Sequence, residues 1–495
     1  MAQSAKPTTS LFVRKPLAAL QAEAERGLLA RSLGVRELTA LGIGSVIGTG
    51  IFVFTGVAAS QHAGPALVIS MLLSAVACAL AGLCYAEFAA LVPVAGSAYT
   101  YAYATVGEVF AWIIGWDLVL EYALATATIA VGWSGYLVSF LRDLGLHIPL
   151  ALTGAPGTAL RAPDGATATG LFNLPAALIV FVVAALLIRG IKQSAGVNTV
   201  LVVLKCCVLL VFIGVGAQYV RAENLTPFLP ANEGTFGAFG WSGVLRGAGI
   251  MFFAYVGFDS VSTAAQEARN PQRDMPRGML GSLAICTVIY VGVAIVLTGI
   301  VPYARLNVPD PLAVGIDATG VRWLSPFIKV SALFGLFSTM IVTMLGQTRV
   351  FFSMSRDGLL PGLFSQVHPR FRTPHRSTAL VAVVIAAVAG FTPISTLGEL
   401  TSIGTLLAFV LVSIGVIVLR RTEPNAPRPF RTPFVPWVPL GAAFACLLQM
   451  VSLPLDTWLR LIAWLALGFV LYFAYGRSRA AGVRRASAVS ATASR

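Results

Sequence analysis

The sequence predicts an all-α membrane protein with twelve spanning helices, arranged as two inverted blocks of five followed by two further helices. Three observations support this prediction: 57% of the 495 residues are hydrophobic, 11% are charged, and long apolar runs recur along the chain. So little polar surface cannot cover soluble domains of this total length, and the lipid bilayer is therefore the predicted solvent.

Twelve apolar runs are separated by polar connections, and most can cross the hydrocarbon core, which takes about 20 helical residues. The runs cover residues 36–57, 65–91, 99–128, 172–188, 197–219, 243–264, 278–300, 323–352, 377–390, 394–419, 434–453 and 458–475. The predicted organisation is an N-terminal segment 1–36, a first block 37–219, a second block 240–420, two further helices in 434–475 and a tail 476–495.

Positive charge is distributed unevenly between the two sides of this predicted topology. If the N-terminus lies inside, 24 Lys and Arg residues fall in inside loops and tails and six in outside loops. The cytoplasmic loops of membrane proteins carry an excess of Lys and Arg, so we predict that both termini lie in the cytoplasm. The net charge of +14 therefore reflects topology, and no nucleic-acid partner is predicted. The basic N-terminal segment has no apolar core with a cleavage site, so no signal peptide is predicted.

The two five-helix blocks correspond in three ways. In each block the third helix is long, the fourth is short and the first is interrupted by glycine, within GIGSVIGTGIF at 42–52 and GAGIMFFAYVGFDSV at 247–261. Five is an odd number, so the second block enters the membrane inverted. Paired interruptions in inverted halves indicate a substrate site near the middle of the membrane.

The interruption in helix 1 comes from four glycines in nine residues, each of which weakens a helix by about 1 kcal/mol against alanine. They are Gly42, Gly44, Gly48 and Gly50. Local unwinding would free amides near Thr49 and Gly50 for a carboxylate, and carbonyls of Ser45 and Val46 for an ammonium. Alternatively, Gly44 and Gly48 form a GxxxG packing face, but the matching interruption in helix 6 favours a binding site.

Helix 6 combines aromatic residues, a glycine and a carboxylate in the run FAYVGFD at 253–259. Ionisable side chains inside a span are costly, and they usually mark a functional pathway. Asp259 is therefore a candidate to contact a cationic substrate or a proton, although it could instead cap the inner half of the helix.

Three more ionisable residues lie within predicted spans. Asp117 and Glu121 are one turn apart on helix 3, where two carboxylates repel unless one is protonated or paired. Glu121 is the stronger candidate for transport, and Asp117 is as well explained by a structural partner. Lys205 lies about eight residues into helix 5, too deep to reach the interface easily, so it has either a functional role or a structural salt bridge. Ser338 and Thr339 place hydroxyls on helix 8.

These residues resemble those of the amino acid, polyamine and organocation superfamily, and most closely its cationic amino acid transporter family, including bacterial proton-coupled members. The matching stretches are LGIGSVIGTGIF, YAEFAALVPVAGSAYTYAYATVGE, GWDLVLEY, FFAYVGFDSVSTAAQEARNPQRDMPRG and GQTRVFFSMSRDGLLP. The resemblance covers residues 33–475 and implies the LeuT-like fold of five plus five helices, with substrate between helices 1, 3, 6, 8 and 10.

The resemblance also implies roles for individual residues. The substrate carboxylate would meet the amides of Thr49 and Gly50, and its amino group the carbonyls of Val46, Phe253, Ala254 and Val256. Lys205 would take the place that a cation occupies in sodium-coupled relatives, between helix 1 and helix 8, among Gly44, Ile47, Gly335, Ser338 and Thr339. Met340 and Met344 would line the side-chain pocket and favour small neutral substrates over arginine.

The sequence therefore predicts a multi-pass transporter of the bacterial inner membrane that imports L-amino acids with protons by alternating access. An amino acid exchanger of the same fold is the main alternative, and a non-transporting sensor or scaffold is a weaker one. No HExxH, GxSxG or GxxxxGK[ST] motif occurs, so no enzyme activity is predicted. No metal or cofactor is predicted, the proton being the coupling ion. The sequence leaves the oligomeric state and any small accessory subunit open.

Overall fold

The computed structural model describes residues 13–15, 33–91, 97–161, 165, 167–190, 195–321 and 323–484. Most of these residues are helical. Two short strands, Ala159–Arg161 (β1) and Thr167–Thr169 (β2), pair antiparallel in the loop that follows the third predicted span.

Seven α-helices form the first half of the described chain. They are α1 Val35–Val46, α2 Thr55–Ala58, α3 Leu67–Leu91, α4 Ser97–Thr105, α5 Glu108–Asp143, α6 Leu174–Arg189 and α7 Ala195–Gly216. Those of the second half are α8 Gly240–Met251, α9 Pro271–Ile300, α10 Pro311–Asp317, α11 Leu324–Arg356, α12 His375–Phe391, α13 Ile394–Thr422, α14 Trp437–Ser452 and α15 Leu455–Leu471.

Seven helical stretches in the described part of the chain are long and apolar enough to cross a membrane. The longest, Gly50–Leu91, contains two segments, because the chain turns at Gly64, which has a positive φ of 57°. Three further apolar helices, α6, α12 and α14, have 16 or 17 residues. The predicted helical membrane architecture is thus confirmed, while the number twelve and the inverted repeat stay predictions.

Large apolar side chains point outward along these helices. Leu178, Phe181, Val288 and Phe444 are each exposed over 45–75% of their surface. In lipid this arrangement is favourable, since apolar surface needs no polar cover there.

The long helices enclose a central region. α5 packs along α11 and α13, and α9 packs along α1 and α3. On the predicted outer side, α10 and the turn before it cover the segment that follows α1: a Cβ on Gly56 would lie 2.3 Å from the carbonyl oxygen of Leu306. This close packing leaves the centre covered on that side.

On the predicted inner side, one buried carboxylate joins three parts of the chain. Glu87, at the end of α3, accepts two hydrogen bonds from Arg420 of α13, at 2.9 and 3.0 Å. Its oxygens also lie 3.3 Å from Nε of Arg428 and 2.8 Å from the amide of Thr432, both in the proline-rich linker before α14. Glu87 is fully buried, so its charge is compensated by these donors rather than by water.

Replacing Glu87 with alanine should destabilise the protein by about 3 kcal/mol or more, because it leaves partly buried arginines without their carboxylate. The measurement is the midpoint of thermal unfolding of the purified protein. Glu423→Ala is the control, since it removes an exposed carboxylate from the same linker. Equal midpoints for the two variants would show that the Glu87 cluster does not stabilise the fold.

Candidate functional site

The first helix is interrupted where the sequence predicted. α1 ends at Val46, and Ile47 has an extended conformation, with φ −72° and ψ 97°. Helical backbone resumes near Gly50 as a π-helix, Gly50–Phe54. A Cβ on Gly50 would lie 2.2 Å from the Cα of Ala254, so only glycine allows the two interrupted segments to touch here.

The second interruption lies between two 3₁₀ segments, Phe252–Tyr255 and Phe258–Glu267. Val256 is extended, with ψ 133°, and Gly257 has a φ of 113°, which side chains other than glycine rarely adopt. A Cβ on Gly257 would lie 2.9 Å from the carbonyl oxygen of Ser45. Each interruption therefore uses a glycine to approach the backbone of the other.

Tyr290 of α9 bridges the two interruptions, and the sequence analysis did not identify it. Its hydroxyl lies 2.9 Å from the carbonyl oxygen of Val46 and 3.0 Å from that of Ala254, and both oxygens can accept its hydrogen bond. These two carbonyls were predicted to accept hydrogen bonds from the substrate amino group. In the structure the hydroxyl of Tyr290 is within donor distance of both. Nothing in the sequence near Tyr290 signals this contact, because a tyrosine in a span is usually a packing residue.

A cavity lies against both interruptions. Small-molecule sites are typically clefts lined by apolar side chains and a few polar groups. Eight predicted substrate-binding residues and Thr339 line it together with residues that were not predicted. The predicted ones are Ser45, Val46, Thr49, Gly50, Glu121, Phe253, Val256 and Asp259; the additional ones are Gly48, Tyr122, Ala125, Ile129, Gly257, Val342 and Thr343. Ala254 lies behind the wall, against Gly50.

Met340 and Met344, the predicted selectivity residues, are fully buried and do not line this cavity. α11 instead presents Thr339, Val342 and Thr343, which lie on one helical face at spacings of three and four residues. The rotation of the helix decides which face lines the cavity, and the apolar composition of α11 did not reveal that rotation. A selectivity role for the two methionines stays a prediction without support from this cavity.

Two buried carboxylates on α5, Glu121 and Asp117, have oxygen atoms without a hydrogen-bond partner in the described part of the chain. Glu121 is 2% exposed, and its Oε2 has no hydrogen-bond partner there, although its side chain also contacts the hydroxyl of Thr405. Both oxygens of Asp117 are likewise without a partner, beside Gly404 of α13. Glu121 lines the cavity and Asp117 does not.

Lys205 of α7 reaches the first interruption. Its ammonium donates to the carbonyl oxygens of Gly44 at 2.9 Å and Ile47 at 3.1 Å, and to the hydroxyl of Thr339 at 2.8 Å. The side chain is 1% exposed, and none of these three acceptors is a carboxylate. The ammonium thus connects α1, α7 and α11.

Two other residues predicted around Lys205 surround this contact without accepting from it. A Cβ on Gly335 would lie 3.2 Å from Cε of Lys205, so glycine makes room for the lysine stem. Ser338 is buried on the same helix but is not one of the three acceptors.

Comparison with known proteins identifies the chain. The amino acid permease family model matches residues 33–472. The chain belongs to the amino acid permease family. This result confirms the resemblance to the amino acid, polyamine and organocation superfamily, and the permease is a transporter rather than an enzyme.

Relatives of the permease have names that refer to different substrates. It is 49% identical to the methylthioribose transporter of Bacillus subtilis over 95% of this chain and 98% of the relative. It is 48% identical to the branched-chain amino acid permease BcaP of the same organism over 91% and 94%. It is 38% identical to the vacuolar cationic amino acid transporter 4 of Arabidopsis thaliana over 80% and 64%.

Adding one methyl group at Gly50 should disable the permease, because its Cβ would collide with the backbone of Ala254. We expect Gly50→Ala to abolish uptake of labelled L-alanine into liposomes. Gly214→Ala is the matched control, since a Cβ there meets no atom within 4 Å. Normal uptake by Gly50→Ala would contradict a close approach of the two interruptions during transport.

Replacing Tyr290 with phenylalanine keeps the ring, which packs 5.4 Å from Tyr255, and removes the hydroxyl that bridges the interruptions. We expect uptake to fall about tenfold, because leaving a buried acceptor unpaired costs about 1 to 3 kcal/mol. The initial uptake rate should be compared with that of Tyr219→Phe, which alters an exposed tyrosine. Equal rates would show that the bridge is dispensable.

Proposed function

We propose that the permease imports L-amino acids together with protons, and that Lys205 carries the coupling proton. The observation that supports this proposal best is the buried ammonium, which donates to Gly44, Ile47 and Thr339. A bound sodium ion would need oxygen ligands of the same kind. A lysine can provide the same positive charge and can also lose it, which gives the proton a place in the cycle.

The proposed substrate pose places the carboxylate near the amides of Thr49 and Gly50, where the outer half of helix 1 begins. Helix N-termini favour negative charge, since their amides point toward the ligand. The amino group would meet the carbonyls of Val46, Phe253 and Val256 on the other side of the cavity. The carbonyl of Val46 keeps a second lone pair for the substrate when Tyr290 donates to it.

In the proposed cycle, protonated Lys205 holds α1, the inner half of predicted helix 1, against α11, which is predicted helix 8. Transport needs a group that stabilises two conformations differently, and the three hydrogen bonds of the ammonium stabilise the closed one. Loss of the proton toward the cytoplasm removes at least one donor and the charge. The inner half of helix 1 can then move away and release the substrate.

We propose the topology of twelve spans with a five-plus-five inverted repeat and both termini in the cytoplasm of a bacterial inner membrane. The interruptions at Ile47 and Val256 support it, because they open the two blocks at equivalent places. The uneven distribution of Lys and Arg supports the orientation.

The walls of the cavity favour a neutral side chain. Ala125, Ile129 and Val342 are apolar and face the space beyond the interruptions. A branched-chain substrate, as in the name of one relative, would pack against them. Glu121 adds an oxygen without a partner that could accept from a hydroxyl, and therefore methylthioribose, named in another relative, is a second candidate substrate.

Uptake into liposomes with an imposed pH gradient separates the alternatives. A proton symporter accumulates labelled L-alanine faster when the outside is acidic, an exchanger needs amino acid inside, and a sensor does neither. Unlabelled L-isoleucine, L-arginine and methylthioribose should then be added as competitors. Strong competition by L-isoleucine alone would support the neutral amino acid pocket, and competition by methylthioribose alone would replace it.

Lys205→Ala should abolish accumulation driven by the pH gradient while leaving exchange of labelled for unlabelled L-alanine measurable. Lys205→Arg should behave similarly, because arginine keeps its charge at all relevant pH values and cannot release a proton. Arg460→Ala removes an exposed positive charge and serves as the control. Undiminished accumulation by Lys205→Ala would show that another group, with Glu121 the next candidate, carries the proton.

A further inference from the structure

Both ends of the described chain meet at α4 and the turn that follows it, on the predicted inner side. The amide of Lys15 donates to the carbonyl of Tyr103, and the amide of Glu108 donates to the carbonyl of Val13, both at 3.0 Å. Residues 13–15 therefore lie along the end of α4.

The segment that follows α15 contacts the same place, and it does so at the side chain of Glu108 in α5. This carboxylate is 2% exposed and accepts from the hydroxyls of Tyr103 and Tyr472, each at 2.9 Å. It also forms an ion pair with Arg484, whose guanidinium contacts the hydroxyl of Tyr103 as well. One buried carboxylate thus joins α4, α5 and the segment that continues α15.

The same segment packs on the turn after α11. Ala480 is fully buried, and a Cβ on Gly358 would lie 3.1 Å from its Cα and 2.9 Å from a methyl group of Val483. The preceding residue, Asp357, accepts from the hydroxyl of Tyr99 at 2.8 Å and pairs with Lys15 at 3.4 Å. Asp357 therefore connects the N-terminal segment, α4 and the end of α11 beside the C-terminal segment.

α4 has space on its other side. A small, largely apolar cavity lies there, bounded by Tyr101 and Thr105 of α4, Phe88 of α3 and Leu411 of α13. An element that borders a cavity on one face and is held by polar contacts on the other can shift when those contacts break.

We propose that the C-terminal segment Arg477–Arg484 is a latch that holds the inner side of the permease closed. By pairing with Glu108 and Tyr103, Arg484 fixes α4. α4 contacts the 3₁₀ segment Phe258–Glu267 that follows the second interruption, so the pairing restrains that segment. Release of the C-terminal segment frees α4 and favours the inward-open state. The proposal rests on alternating access within the proposed function, but neither on the substrate nor on proton coupling.

Cysteine modification tests the latch without any substrate. In Thr105→Cys, the thiol lines the apolar cavity beside α4 and is buried while α4 stays in place. The rate of modification by N-ethylmaleimide is measured by mass spectrometry of the peptide that contains residue 105, in purified protein in nanodiscs. We expect Arg484→Ala to raise this rate several-fold over Arg479→Ala, which removes an exposed arginine of the same segment.

A second variant guards against a general loss of folding. Glu108→Gln keeps the shape of the side chain and one acceptor oxygen for a tyrosine hydroxyl, and it removes the charge that Arg484 pairs with, so it should raise the rate as well. Combining it with Arg484→Ala should add little, since both changes break one ion pair. Equal rates for Arg484→Ala and Arg479→Ala in monodisperse protein, or fully additive effects in the double variant, would overturn the proposal. Failure of amino acid uptake would not affect this readout.

Discussion

The close approach of two interrupted segments at Gly50 and Ala254 constrains the rest of the structure. Two backbones can touch at this distance only without a side chain between them, and each interruption contributes a glycine to the contact. Polar backbone groups exposed by the interruptions cannot remain unpaired at membrane depth. Tyr290 of α9 and Lys205 of α7 pair with several of them, and others face the cavity between the interruptions.

Lys205 and Tyr290 both pair with backbone carbonyls of the first interruption, but they differ in chemistry. The hydroxyl of Tyr290 is neutral and contacts carbonyls of both interruptions, which suits a permanent joint. The ammonium of Lys205 contacts helix 1 and helix 8 and depends on a proton for its charge. The contacts of Tyr290 would keep the two interruptions together while the contacts of Lys205 form and break.

Some of this arrangement could be predicted from the sequence, because strong local signals mark it. Glycine density marked the first interruption, and the depth of Lys205 in its span marked it as unusual. The cavity wall on α11 could not be predicted, since the rotation of an almost uniformly apolar helix depends on its neighbours. Tyr290 and the partners of Glu108 were missed for a related reason: they come from segments far apart in the chain, and no local pattern links them.

The glycines at the two interruptions and the apolar wall of the cavity differ in how freely their side chains can change. No side chain fits at Gly50 or Gly257, so selection for new substrates has little freedom there. The apolar residues Ala125, Ile129 and Val342 carry no such restriction, and they can change in size without moving the backbone. A family built in this way can diversify in its cargo while its moving parts stay the same, as the names of its relatives illustrate with a thioether sugar, branched-chain amino acids and cationic amino acids.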